Sequence, residues 1–189
     1  MVNVGFICEG DKEVEIVKSG AFQKLLAESA LQCVSPIEDA DGNDNLLPHN
    51  IREKRVTLTK AGARTIFVLT DLDNDASVSN ARQRIGEHPD QCIVVAVRET
   101  EAWFLADSAT LSALLGQPIY VDYPEQELKP FATIRRLFLA QTGRGVGTKP
   151  ILARRMIKYG FTIENAARHP NCPSANYFLT KLQTLASAN

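Results

Sequence analysis

Apolar runs of strand length alternate with longer amphipathic segments through the first hundred residues. The apolar runs predict four strands, at residues 2–8, 31–37, 65–70 and 92–97. Between them, apolar residues recur at helical spacing and predict helices at residues 12–28, 48–62 and 76–87. Pro36 favours an edge position for the second strand, because proline donates no backbone hydrogen bond.

This alternation is typical of a parallel sheet with helices on both faces. From residue 101 onward the pattern becomes mostly helical. We therefore predict an α/β protein with a mostly parallel core of about four strands at residues 1–110. Residues 111–189 would form a helical, basic C-terminal extension packed on that core.

The apolar stretches are also too short or too interrupted to cross a membrane. The N-terminus lacks the basic residues that begin a secretory signal peptide. We therefore expect a cytoplasmic protein with no membrane contact. The four cysteines form no Cys-x-x-Cys pair, so we interpret them as core thiols.

Charge is distributed unevenly along the 189 residues, although the net charge is −1. Residues 1–95 carry 10 Lys and Arg against 15 Asp and Glu, whereas residues 96–189 carry 11 against 7. Residues 128–169 hold nine of the basic residues and a single acid. This segment could contact a polyanion such as DNA or RNA, or could be the solvated face of a helix. The candidate phosphate contacts are Arg144, Lys149, Arg154, Arg155 and Lys158.

Acidic residues follow every predicted strand. They are Glu9 after the first strand, Glu38 and Asp39 after the second, Asp71 and Asp73 after the third, and Glu99 and Glu101 after the fourth. Binding sites in parallel α/β sheets lie at the carboxyl ends of the strands, so these acids mark the expected site. The pair after the second strand opens a turn-rich acidic loop, and we leave that pair outside the predicted site.

Asp71 and Asp73 are two residues apart, a spacing that would direct both carboxylates to one side of an extended chain. Glu9 would join them from a neighbouring strand. Such carboxylates repel one another unless a cation neutralises them, and Mg²⁺ or Mn²⁺ prefers oxygen ligands. Any one of these acids could instead cap a helix or lie in solvent. Glu101 fits a role in the metal site and a role as a helix cap or solvent-exposed residue equally well. Glu13 is interpreted as a supporting or surface residue.

Three motifs resemble the TOPRIM domain of primases, topoisomerases and overcoming-lysogenization-defect nucleases. Over residues 1–110 the chain is most similar to a family of small stand-alone TOPRIM-like proteins often linked to phage defence. The motifs are Cys8-Glu9-Gly10-Asp11-Lys12-Glu13, Val68-Leu69-Thr70-Asp71-Leu72-Asp73 and the segment from Arg98-Glu99-Thr100-Glu101 to Asp107. A tail at residues 172–179 is similar to that family as well.

The resemblance implies a Mg²⁺-dependent nuclease. In that family Glu9 would be the general acid/base or a metal contact, and Asp71 and Asp73 the metal ligands. Glu101 would match a further acid of the nuclease branch, which would make all four catalytic. The family link also implies a possible protein partner from a defence system.

Two other functions stay open on the sequence. The Asp71-x-Asp73 pair also resembles phosphatases with an aspartyl nucleophile, although Glu9 would then have no role. The chain could also be a non-catalytic regulatory or interaction module of a defence system that keeps the fold and the metal site. Trp103 and Phe104 are expected to anchor a helix to the core rather than to stack on bases.

Overall fold

A parallel sheet forms the centre of the protein. The computed structural model describes residues 1–187, except for the side chain of residue 186. The strands are β1 (Val2–Cys8), β2 (Leu31–Cys33), β3 (Glu38–Asp39), β4 (Thr65–Asp71) and β5 (Gln91–Ala96). Their main order is β2-β1-β4-β5, and the short β3 pairs with the end of β1. All pairings are parallel.

Helices flank this sheet and form the whole C-terminal part of the described chain. In the first half they are α1 (Asp11–Lys18), α2 (Gly20–Glu28), α3 (Pro48–Lys60) and α4 (Val78–Ile85). From residue 101 they are α5 (Glu101–Ala106), α6 (Ser108–Leu115), α7 (Pro130–Thr142), α8 (Lys149–Lys158), α9 (Ile163–Ala167) and α10 (Pro173–Ser187). The predicted α/β class, with a parallel sheet and a helical C-terminal part, is confirmed. No helix within residues 1–187 has the length and apolarity that crossing a membrane requires.

Two predicted elements are wrong in extent. The helix predicted at residues 12–28 is broken at Ser19, which is extended and whose Oγ accepts a hydrogen bond from the backbone N–H of Phe22. Ser19 thus caps a new helix that begins at Gly20, and serine is a favoured N-cap. The strand predicted at residues 31–37 ends at Cys33, because Pro36 cannot continue the ladder.

The sheet is buried on both faces. On one face, the rings of Phe6, Phe67, Phe178 and Trp103 form a continuous aromatic cluster with centroid separations of 5.4–5.9 Å. Trp103 and Phe104 are both buried in the hydrophobic core on this face, which confirms their expected anchoring role. Since Phe178 belongs to α10, the C-terminal helices share a core with β1 and β4. The proposed boundary at residue 110 stays a prediction.

Helices α3 and α4 cover the opposite face of the sheet. Gly5 of β1 lies directly beneath α3, and a Cβ atom at this position would approach Leu58 Cδ1 to 3.0 Å. The close contact explains why a residue without a side chain occupies the middle of a central strand.

Candidate functional site

Glu9 and Asp71 lie side by side at the carboxyl ends of β1 and β4. The backbone N–H of Glu9 donates to Leu69 O, extending the ladder by one residue past β1. One carboxylate oxygen, Glu9 Oε2, then accepts hydrogen bonds from Asp71 N at 3.0 Å and Thr70 Oγ1 at 2.6 Å. Burial and the neighbouring Asp71 charge raise the pKa of Glu9. The structure therefore brings these two predicted site residues together.

The Asp71 carboxylate is held on both oxygens. Its Oδ1 accepts from the backbone N–H and the hydroxyl of Thr100, at 2.8 and 2.9 Å. Its Oδ2 accepts from Lys12 Nζ at 2.7 Å. Only 1% of Asp71 is exposed. These contacts fix the carboxylate at the centre of the site, because each oxygen has a donor from a different element.

Lys12 places a buried cation among the acids. Its Nζ lies 2.7 Å from Asp71 Oδ2 and 3.0 Å from Glu13 Oε1. Burial lowers the pKa of Lys12, but the negative charges of Asp71, Glu13 and Glu101 outweigh this and raise it above its usual value. Lys12 is therefore charged, and it partly neutralises the cluster.

Glu13 is a core residue of the site and not a surface residue. It is 1% exposed, and its Oε1 lies 2.6 Å from Thr100 Oγ1, whose single hydroxyl proton it shares with Asp71 Oδ1. Its other oxygen, Oε2, is buried with no hydrogen-bond partner in the described part of the chain. Burial raises the pKa of Glu13 to about 7. The surface interpretation of Glu13 is wrong because helix α1 turns this side chain inward.

Glu101, unlike Glu13, accepts no hydrogen bond within residues 1–187. None of its surface is exposed, and within residues 1–187 neither carboxylate oxygen has a hydrogen-bond partner. Lys149 Nζ, at the start of α8, is 3.6 Å from Glu101 Oε1 and forms an ion pair with Glu99. Burial raises the pKa of Glu101 to about 8. Buried carboxylates with free oxygens are unusual, and they suit a site that receives a cation.

Asp73 lies at the exposed rim of the site, where partial burial and the neighbouring Asp71 charge raise its pKa. Its φ is 44°, so the chain leaves the extended conformation directly after Asp71. Its backbone N–H donates to the carbonyl of Arg98, another left-handed residue, at 3.2 Å. The spacing argument assumed an extended chain, and convergence of the Asp71 and Asp73 carboxylates on one cation stays a prediction. Paired left-handed residues at a rim store backbone strain, which is common at functional sites.

The acidic loop that the prediction set aside also reaches this rim. Asn43 Nδ2 donates to Asp73 Oδ2 at 3.5 Å, and Arg84 Nη1 donates to the carbonyl of Asn43. The same Arg84 forms an ion pair with Asp75 at 3.0 Å. The loop is thus tied to the segment after β4. No alternation of apolar and polar residues along the chain indicates this contact.

A divalent cation suits the chemistry of these donors. The carboxylates of the site are those of Glu9, Glu13, Asp71 and Glu101, with Asp73 at the exposed rim. They come from four segments at the carboxyl ends of the strands, and hard cations prefer oxygen ligands. Three of the buried oxygens, on Glu13 and Glu101, have no hydrogen-bond partner in the described chain. However, in residues 1–187 no three Asp, Glu, His or Cys side chains already stand in ligating geometry. Asp71 Oδ2 faces Lys12 instead, so a shared ion at Glu9, Asp71 and Asp73 stays a prediction.

The five candidate phosphate contacts differ in their surroundings. Lys149 turns into the carboxylate cluster, and Arg154 Nε donates to Glu15 on α1 at 2.9 Å. Arg155 lies over the ring of Phe138, 5.1 Å from its centroid. Arg144 and Lys158 are exposed. Nucleic-acid binding by all five stays a prediction. Of the five, Lys149 is the one that contacts the carboxylates of the site.

Sequence comparisons leave the protein without an assigned family. No family model and no curated protein matches the chain. Among solved structures, the chain is similar to the C-terminal region of the OLD protein of Burkholderia pseudomallei. The match has 15% identity and a TM-score of 0.45, and it covers 97% of this chain and 98% of that one. A match this distant assigns neither a family nor an activity.

Proposed function

We propose that the protein is a divalent-metal-dependent phosphodiesterase that cleaves nucleic acid. The observation that carries the proposal is the buried carboxylate cluster at the carboxyl ends of the strands. Two of its members, Glu13 and Glu101, keep oxygens without partners, and burial raises the pKa of both. Lys12 lies near Glu13 and Lys149 near Glu101, but within residues 1–187 these oxygens accept no hydrogen bond. Buried polar groups with a purely structural role usually have one.

Glu9, Asp71 and Asp73 would hold Mg²⁺ or Mn²⁺, with Glu13 and Glu101 as further oxygen donors. When bound, such an ion neutralises charge that develops on a phosphate and lowers the pKa of bound water. Thr100 orients Asp71 through two hydrogen bonds, which keeps one ligand fixed whether or not substrate is present. Glu9 is the candidate for proton exchange with a substrate or water, because it is only partly buried and burial raises its pKa.

Lys149 supports a phosphodiester substrate. Its ammonium comes from the C-terminal half of the chain and meets Glu99 and Glu101 at the rim of the site. A substrate phosphate that binds near these acids would attract the Lys149 ammonium away from the carboxylates. The exposed Arg144, Arg154 and Lys158, together with Arg155, would position the rest of a DNA or RNA backbone.

A nuclease assay in Mg²⁺ and in Mn²⁺ tests the proposal. Labelled single- and double-stranded DNA and RNA are incubated with the wild type, Asp71→Asn and Glu9→Gln. Asp122→Asn is the matched control, because Asp122 is an exposed acid outside the cluster. We expect cleavage by the wild type and the control, and a loss of at least 100-fold in both site variants.

Three results would contradict the proposal. Unchanged cleavage by both site variants would remove the site. Hydrolysis of a small phosphate monoester without cleavage of any polynucleotide would favour an aspartyl-nucleophile phosphatase. An absence of turnover by the folded wild type on every substrate would favour a non-catalytic module.

A further inference from the structure

The acidic loop, residues 38–45, is anchored to the end of the strand that precedes Glu9. The backbone N–H of Ala40 donates to Cys8 O, and the backbone N–H of Gly42 donates to Glu9 O, both at 2.8 Å. Cys8 is the last residue of β1, so both acceptors lie where the carboxylates of the site begin. These two bonds hold the loop beside the proposed metal site.

Asn43 connects this loop to Asp73. Its amide nitrogen, Nδ2, donates to Asp73 Oδ2 at 3.5 Å. Its amide oxygen, Oδ1, is buried and has no hydrogen-bond partner within residues 1–187. Turning the amide over would place that oxygen against the Asp73 carboxylate, and two acceptors repel each other. The amide therefore has one usable orientation, in which its N–H groups face Asp73.

Arg84 of α4 holds both sides of this contact. Its Nη1 donates to the backbone carbonyl of Asn43 at 3.4 Å. Its Nε and Nη2 donate to Asp75 Oδ2 at 3.1 and 3.0 Å. A guanidinium presents its donors in a rigid, planar arrangement, so it can bridge two acceptors at a fixed separation. One side chain thus joins the acidic loop to the segment that contains Asp73.

Asp73 has to be ordered by other residues, because it lies at the exposed rim on a left-handed backbone with a φ of 44°. An exposed carboxylate samples several rotamers, and an ion that binds it has to restrict them. We propose that Asn43 and Arg84 are positioning residues that hold the Asp73 carboxylate in place for the divalent ion. The acidic loop is then part of the metal site. This inference rests on the proposed metal-dependent function.

A titration of the full chain with Mn²⁺, followed by the electron paramagnetic resonance signal of the free ion, tests the inference. Asn43→Ala removes the amide donor, and Arg84→Gln removes the charged guanidinium. Asn74→Ala and Arg82→Gln are the matched controls. Asn74 is an exposed asparagine in the same rim segment, and Arg82 lies on α4 but contacts the ring of Tyr177. Circular dichroism melting confirms that each variant is folded.

We expect Asn43→Ala and Arg84→Gln each to weaken Mn²⁺ binding about threefold to tenfold, which is the cost of ordering one side chain. The two controls should bind Mn²⁺ like the wild type. Asp73→Ala should weaken binding further, and adding Asn43→Ala to it should cause no additional loss, because Asn43 acts through Asp73. A second readout needs no metal: in EDTA, hydrogen–deuterium exchange at residues 72–76 should be faster in Arg84→Gln than in the wild type.

The inference is overturned if the wild type binds Mn²⁺ and both positioning variants bind it equally well. It is also overturned if Asn43→Ala weakens binding as much without the Asp73 carboxylate as with it, or if exchange at residues 72–76 is unchanged in Arg84→Gln. A wild type that binds no Mn²⁺ removes the metal site and the inference together. A wild type that binds Mn²⁺ but cleaves no nucleic acid contradicts the proposed function alone, and the affinities of the variants still decide the inference.

Discussion

Replacing Lys12 with methionine tests whether the carboxylate cluster needs a cation. Methionine keeps most of the volume of the side chain but removes the ammonium that lies 2.7 Å from Asp71 and 3.0 Å from Glu13. Lys12 is 8% exposed and both acids are 1% exposed, so water cannot replace the lost charge. Breaking a buried ion pair by removing one partner costs about 3–5 kcal/mol. For a chain of this size that corresponds to a fall in melting temperature on the order of 10 °C.

The assay is thermal unfolding in EDTA, followed by the same measurement in Mg²⁺ or Mn²⁺. We expect Lys12→Met to lose stability in EDTA and to regain more of it with the metal than the wild type gains, because the ion then has no competing ammonium. Lys24→Met is the control. Its ion pair with Glu28 is exposed, and such pairs contribute well under 1 kcal/mol. The reasoning is refuted if Lys12→Met unfolds like the wild type in EDTA, or if the metal stabilises both proteins equally.

Two further predictions concern buried carboxylates. The pKa of Glu101 is raised to about 8 from its usual value near 4.5, so its contribution to stability is complete below about pH 4.5 and is lost as the pH rises through 8. The stability of Glu101→Gln relative to the wild type, measured by urea unfolding in EDTA, should therefore be higher at pH 9 than at pH 5. An equal difference in unfolding free energy at the two pH values would contradict this. Asp107 accepts hydrogen bonds from Thr110 and from the backbone N–H of Thr162, which joins α6 to α9. Asp107→Ala should cost about 2–4 kcal/mol by urea unfolding, and a loss below 1 kcal/mol would show that these bonds contribute little.

The sheet could be predicted because each strand has its own local signal. The runs in β1, β4 and β5 are mostly apolar, as expected for strands buried on both faces, and their predicted and observed boundaries agree within one residue. The break at Ser19 was missed because apolar residues keep helical spacing across it. Capping by a serine side chain decided the structure there, and hydrophobic periodicity does not report capping.

The candidate site was predictable only in part. Glu9 and Asp71 could be paired because the ends of neighbouring parallel strands meet at one edge. Lys12 and Glu13 could not be found in this way, since charged residues in the first turn of a helix usually face solvent. They are buried because α8 packs over α1, and this contact cannot be recognised from the sequence of α1. The left-handed backbone of Asp73 departs from the extended chain that the prediction assumed, and a two-residue spacing cannot reveal it.

The location of a bound Mn²⁺ ion tests the central claim most directly. Crystals grown with Mn²⁺ and measured at a wavelength where manganese scatters anomalously would show where the ion binds. Our account predicts an anomalous peak within ligating distance of the Asp71 carboxylate and of Glu9, with Lys12 displaced from Asp71 Oδ2. A saturated crystal with no peak there, and with Lys12 still bonded to Asp71, would contradict it.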